Sequence, residues 1–196
     1  MSVPVTRVLL PAEELEARIG YQFKNKALLK RALTHRSFAA EHNERLEFLG
    51  DSVLNCVIGH ALFLRDRHFT EGVLSRVRSN LVCEKALDEI AAQIQIGQFI
   101  YLGEGELKTG GADRPSILAD ACEAVFGAVF LDGGFEDIHS TTTPGFSVVS
   151  RNMVRGGSAY SVLRFWARPG LVKWGVVFRF DTFLAFWGVC RLHYAL

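Results

Sequence analysis

Asn43-Glu44-Arg45-Leu46-Glu47-Phe48-Leu49-Gly50-Asp51-Ser52-Val53-Leu54 opens the stretch on which the fold turns. Its leucines and Val53, continued by Val57, Ile58 and Leu62, recur every three or four residues. That spacing predicts the buried stripe of an amphipathic helix running to about Arg65. Glu44, Glu47, Asp51 and Asn55 recur at the same steps and so share a second face. Side chains at those steps stand roughly 5–6 Å apart at Cβ. Acids stacked so closely repel one another unless a positive charge lies between them, and no Lys alternates with them here. The stripe reads either as half of a site for a hard divalent cation or as a solvated acidic face. The helix alone leaves both open.

A second acidic pair tips the balance. Ser116 to Asp132 predicts another helix, stopped by Gly133-Gly134. Ile117, Leu118, Ala121, Val125, Ala128, Val129 and Leu131 make it apolar nearly all round, the pattern of a deeply buried helix. Asp120 and Glu123 lie three apart on it and are its only charges before Asp132. Burying two carboxylates uncompensated is costly. They need either an arginine such as Arg45 or a cation, and the unpaired acids of the first helix favour the cation.

The remaining segments also have helical period. Pro11 and the acids after it predict a short helix ended by Gly20. Asn25 caps the next, from Lys26 to about His35. His35-Arg36-Ser37 follows as a polar connection, in which His35 reads as a phosphate contact or a hydrogen-bonded structural residue. Thr70 predicts the N-cap of a helix through Leu81, whose Arg76 meets a phosphate, pairs with Glu71 or is solvated. Another helix spans about Glu84 to Ile96. Gly103 to Gly111 is no phosphate-cradling nucleotide loop, because Lys108 precedes the last glycines instead of following them. It reads as an ordered loop with Lys108 available to a phosphate backbone or a partner subunit. No segment alternates cleanly, so the predicted fold class is all-α.

Composition sets the outer limits. With 196 residues, 49% hydrophobic and 22% charged, the chain can build a real core in one domain, with room for a small appendage. Cys56, Cys83, Cys122 and Cys190 form no close pairs. Buried free thiols in a reducing cytosol are expected, not a disulfide or zinc framework. Met1 to Pro11 lacks the pattern of a signal peptide. The nearest approach to a membrane span, Leu171–Cys190, is broken by Lys173, Arg179 and Asp181.

Asn43–Leu54 and Ser116-Ile-Leu-Ala-Asp-Ala-Cys-Glu-Ala124, taken together, closely resemble the catalytic domain of ribonuclease III, the bacterial double-strand-specific endoribonuclease. Glu71–Arg78 and Gly105–Gly111 look like further segments of that family, in its order and spacing. The resemblance covers about residues 10 to 136. It implies an all-helical homodimer that binds double-stranded RNA, with Glu47, Asp51, Asp120 and Glu123 as Mg²⁺-binding carboxylates and Asp51 and Glu123 at the centre of catalysis. Mn²⁺ is the expected substitute ion. Glu44 and Glu71 match accessory acids for substrate or a further metal. Arg76 and Lys108 are the candidate RNA contacts. The implied activity is phosphodiester hydrolysis in duplex RNA, processing ribosomal precursor and messenger RNAs in the cytoplasm, with no membrane partner. The alternative is a non-catalytic duplex-RNA binder or helical dimerisation module that keeps the fold.

After residue 136 the chain obeys other rules. Residues 1–136 hold 15 basic and 19 acidic residues, a balance of −4; residues 137–196 hold 7 and 2, a balance of +5. The second part also carries 11 of the 22 aromatics and all three Trp. Asp137–Gly145 is poor helix material. No lysine-bearing helix or hairpin pattern of the family's double-stranded-RNA-binding domain is present, so 137–196 is read as an unassigned, irregular tail. It is a divergent extension, an aromatic single-strand-binding arm, or sequence read in a shifted frame. The abrupt switch in acid content favours the last, which translation of the DNA in its other two frames tests; neither frame yielding an RNA-binding pattern would refute it.

Overall fold

A computed structural model describes residues 8–65 and 67–155 of the chain, with side chains through Thr142 except at Arg65. Among the described residues the helices are α1 (Ala12–Ile19), α2 (Lys26–Ala32), α3 (Glu44–Arg65), α4 (Glu71–Leu81), α5 (Glu84–Ile94), α6 (Glu104–Lys108) and α7 (Pro115–Arg155). Two 3₁₀ turns, Ile96–Gln98 and Gly111–Asp113, lie between them. The β contact among the described residues is one isolated bridge, Thr34 to Tyr101. The fold is all-α, as the periodicity predicts. All described residues belong to one compact unit, Met1–Trp166.

α3 and α7 form its centre. Leu54, Val57, Ile58 and Leu62 share one buried cluster with Cys122, Val125, Phe126 and Val129. Fully burying one such aliphatic side chain stabilises by about 1.5–3 kcal/mol, so this seam is the main source of stability. By length and composition α3 could cross a membrane. The acids along one side and the α7 seam along the other make it a core helix here.

Two glycines decide how closely the central helices approach. A Cβ on Gly50 would stand 1.9 Å from the Glu123 carbonyl oxygen, and one on Gly127 would stand 2.3 Å from the Leu46 carbonyl oxygen. The two backbones therefore touch at the level of Glu47, Asp51 and Glu123. Any side chain at either position would hold the helices apart.

Element ends follow local chemistry. Gly20 closes α1 in the left-handed conformation, φ 71°. The Asn25 side chain caps α2 by accepting from Ala27 N–H at 3.1 Å. α2 stops at Ala32, short of the expected His35, because Leu33 C=O and His35 N–H are engaged by Tyr101 at 2.8 and 3.0 Å. Thr70 occupies the N-cap of α4 without a side-chain capping bond. The segment expected to be a loop at 103–111 contains α6. At the far end of the first arm of α7, Asp132 accepts from the Lys24 and Asn25 N–H groups and from the Tyr21 hydroxyl at 2.7–2.9 Å. Burial opposes its charge, but these donors outweigh that and hold its carboxyl below the usual range.

Gly134, at φ 84° and ψ −166°, breaks α7 where the double glycine predicts a stop. The helix then resumes through Asp137–Gly145, against the expectation of poor helix material. Tertiary burial outweighs local propensity there. Ile138 and Thr142 are no more than 1% exposed. The Phe135 ring meets His60 of α3 at 5.4 Å, and the hydroxyls of Ser140, Thr141 and Thr142 donate to carbonyls three or four residues back. A second correction concerns the thiols: Cys122 is buried, whereas Cys56 and Cys83 are exposed. The tail's aromatic run, its frame and Cys190 lie outside the described residues.

Candidate active site

The crossing of α3 and α7 brings the two acidic pairs together. Glu47 and Asp51 descend from α3, Asp120 and Glu123 from α7. Glu123 is pushed up to about 8 by burial first, then by the charges of Asp51, Glu47 and Asp120. Glu47 is raised by burial and by Asp120 and Glu44. Asp120 is raised by burial and by Glu84, the first residue of α5. Four carboxylates from two helices thus share one electrostatic neighbourhood. The Asn55 amide donates to both the backbone and the side chain of Asp51 at 3.0 Å and steadies it.

Beside them lies an open cleft of about 400 Å³. Glu44, Glu47, Glu106 and Asp120 give it acid; His35, Arg36 and Arg114 give it base. Arg36 pairs with Glu44 at 3.2 Å, and Arg114 pairs with Glu106. Burial lowers the His35 pKa, against the pull of Glu106. A hollow of about 480 Å³ beside α1 is larger. Its Lys26 and Glu16 are engaged with each other, and the coupled carboxylates do not line it.

Other expected site residues separate from this cluster. Arg45 is exposed and pairs with neither Asp120 nor Glu123; the arginine whose charge reaches Asp120 is Arg36, which draws its carboxyl down against burial. Glu71 lies at the exposed start of α4, accepts from the Ser75 hydroxyl at 2.7 Å, and does not line the cleft. Arg76 is exposed and makes no ion pair among the described residues. Lys108 is tied to Glu104 at 2.7 Å. Neither base lines the cleft. Reasoning from sequence alone missed Arg36, Arg114, Glu84 and Glu106, whose nearness to the acids arises only when distant segments meet.

The donor set suits a hard cation: carboxylate oxygens, mutually repelling and partly desolvated. Among the described residues no three His, Cys, Asp or Glu side chains close into a ready-made cage. Mg²⁺ does not need one. It keeps several of its waters and takes one or two carboxylates, with substrate phosphates completing its shell. The residues present therefore fit such an ion in chemistry, with Glu47, Asp51, Asp120 and Glu123 as the group that would hold it.

An all-α body that opposes two acidic helices across a glycine contact, beside a mixed-charge cleft, defines a narrow class. The chain belongs to the family described as ribonuclease-III-like, whose model matches residues 25–143. It is 60% identical over 124 residues to Ribonuclease 3 of Cupriavidus pinatubonensis, covering 63% of this chain and 48% of that protein. To Ribonuclease 3 of Aromatoleum aromaticum it is 56% identical over 123 residues, covering 63% of this chain and 55% of that one. The chain thus spans about half the length of the curated relatives it matches. A solved nuclease domain of ribonuclease III from Campylobacter jejuni superimposes with a TM-score of 0.68 at 44% identity, covering 70% of this chain and 97% of that one. That structure is described as flexible in a region involved in dimer formation.

Proposed function

We propose that the chain is a Mg²⁺-dependent endoribonuclease that hydrolyses phosphodiester bonds in double-stranded RNA. The observation that carries this reading is the convergence of Glu47 and Asp51 with Asp120 and Glu123 across the Gly50–Gly127 contact. The family and its relatives' names support it. Bound Mg²⁺, or Mn²⁺ in its place, supplies water activation near neutral pH and charge relief on the scissile phosphate. The chain's own part is to hold and orient. Asp51 is fixed by Asn55, Glu123 holds a proton near neutral pH in the metal-free site, and Glu44 balances Arg36 at the rim. Duplex RNA would be recognised by A-form shape and 2′-hydroxyl contacts more than by base identity.

Ribosomal precursor and messenger RNAs are the proposed substrates, and the reducing cytoplasm the proposed location, where the exposed thiols of Cys56 and Cys83 remain free. The functional unit is a homodimer, with residues 1–136 as the catalytic domain. Incubating a long perfect RNA duplex with the protein, with and without Mg²⁺, tests the reading. Cleavage should require the ion. Glu123→Ala should lose cleavage while largely keeping RNA binding; equal loss of both would refute the metal role, and retained cleavage would refute the site.

A further inference from the structure

His35 occupies a place in the cleft that its structural bonds do not explain. Among the described residues the ring is held through Nδ1. Gly103 N–H donates to the Ser37 hydroxyl at 2.9 Å. Ser37 N–H donates to His35 Nδ1 at 3.2 Å, and the Ser37 hydroxyl stands 2.8 Å from the same nitrogen. An Nδ1 that accepts from a backbone N–H carries no proton of its own in the neutral ring, so the hydroxyl must be the donor in the shorter contact. Both bonds thus select one tautomer, with the proton on Nε2. Nε2 makes no hydrogen bond to the protein among the described residues, and His35 lines the cleft with Glu47 and Asp120.

The mounting is rigid. His35 N–H donates to Tyr101 C=O at 3.0 Å, and a Cβ on Gly103 would lie 2.3 Å from the Ser37 carbonyl oxygen. Segments 35–37 and 101–103 are therefore clamped backbone to backbone. His35 lines the same open cleft as Glu44, Glu47, Glu106 and Asp120, and no hydrogen bond among the described residues uses its remaining N–H. The two neighbouring arginines are already engaged by Glu44 and Glu106.

We propose that His35 is a direct substrate contact, its Nε2–H donating to a non-bridging phosphate oxygen of the RNA strand lying in the cleft. The proposal rests on the nuclease reading above and adds to it the group that seats the backbone beside the carboxylates. A phosphate entering an acid-lined cleft leaves water behind, and a fixed donor replaces part of its hydration without reorganisation.

The test compares the full chain with His35→Gln and His35→Leu in single-turnover cleavage of an RNA duplex with Mg²⁺. A matched duplex carries sulfur in place of one non-bridging oxygen at the cleaved bond. Removing one preorganised donor should slow His35→Leu by roughly ten- to a hundredfold. His35→Gln, which keeps an N–H, should remain within about threefold of wild type. Sulfur should slow wild type and the Gln variant more than the Leu variant, which has no hydrogen bond left to weaken. A Leu variant that cleaves at the wild-type rate overturns the proposal, as does a slowed one that keeps the full sulfur effect. If thermal unfolding shows that His35→Leu does not fold, Ser37→Ala takes its place. It keeps the ring, loosens the tautomer, and should slow cleavage several-fold with a reduced sulfur effect; an unchanged rate overturns the proposal. A wild-type chain that leaves the duplex intact refutes the nuclease reading itself, and this contact falls with it.

Discussion

Glu123 sits where burial and three neighbouring acids all oppose its charge. A carboxyl raised to about 8 favours the folded state while protonated and loses that advantage as pH climbs from the usual Glu range through 8. Folding without metal should therefore weaken between about pH 5 and pH 8 on this account. Glu123→Gln removes the charge and keeps the shape. The full shift would be worth ~5 kcal/mol, but the side chain is partly exposed, and solvent screening reduces this to about 1–2 kcal/mol. The metal-free Gln variant should unfold a few degrees above wild type at pH 8–9 and alongside it near pH 4–5. It should also lose most of the thermal shift that Mg²⁺ gives wild type. A Gln variant less stable than wild type at pH 9 would show that Glu123 is already compensated. This residue was legible in the sequence because Asp120 and Glu123 are the only charges along an otherwise apolar helix. Arg36 and Glu84 were not, since each looks like an ordinary surface residue until the connection after α2, the start of α5 and α7 meet. The sequence reads Arg76 as a phosphate contact, a Glu71 partner or a solvated residue, and Lys108 as a loop residue open to a phosphate or a partner subunit; neither reading carries distance from the cleft.

Helix periodicity exposes an element's buried face but not how near its neighbour comes. The stripe of α3 and the end of α7's first arm at Gly133-Gly134 could be read directly, because leucine and valine spacing and a glycine stop are local signals. α6 could not, since five residues give too short a window for any period. The second arm of α7 could not either, since Phe135 and Ile138 stabilise it by packing that its threonines do not advertise. The Gly50–Gly127 contact belongs with these hidden features. Gly50→Ala would drive a methyl into the Glu123 backbone, where no flexible side chain can yield. Overpacking usually costs about 1–3 kcal/mol, and the upper end is expected here. Because the separation grows between the acidic helices themselves, cleavage should fall more than stability accounts for. Gly72→Ala, at a helical glycine whose added methyl meets nothing within 4 Å, serves as the control and should leave the fold at least as stable. Chemical denaturation and cleavage measured side by side check this; a Gly50→Ala protein with normal activity would mean that the crossing does not set the site.

On the scale of the whole molecule, α3 presents an apolar strip that nothing among the described residues covers. Phe48 and Phe63 are 77% and 69% exposed, and Ser52 and Cys56 lie between them at helical steps. The strip runs about a quarter-turn round the helix from the acids, at ~100° per residue. A second copy seated on it would place two acidic clefts side by side, which suits a two-stranded substrate with one scissile bond on each strand. A self-complementary contact of this kind is the usual form of a homodimer. The chain should then sediment at twice its 21.8 kDa mass at micromolar concentration. Phe48→Lys puts two like charges into the contact and removes its more exposed ring, which should weaken association by about thirtyfold or more. Each cleft survives in the separated protomer, so Phe48→Lys should keep its Mg²⁺-dependent thermal shift while cutting duplex RNA more slowly and leaving more single-strand nicks. A wild-type chain that sediments as a monomer, or a Phe48→Lys chain that dimerises unchanged, would move the subunit contact away from α3 and leave the exposed phenylalanines without a role.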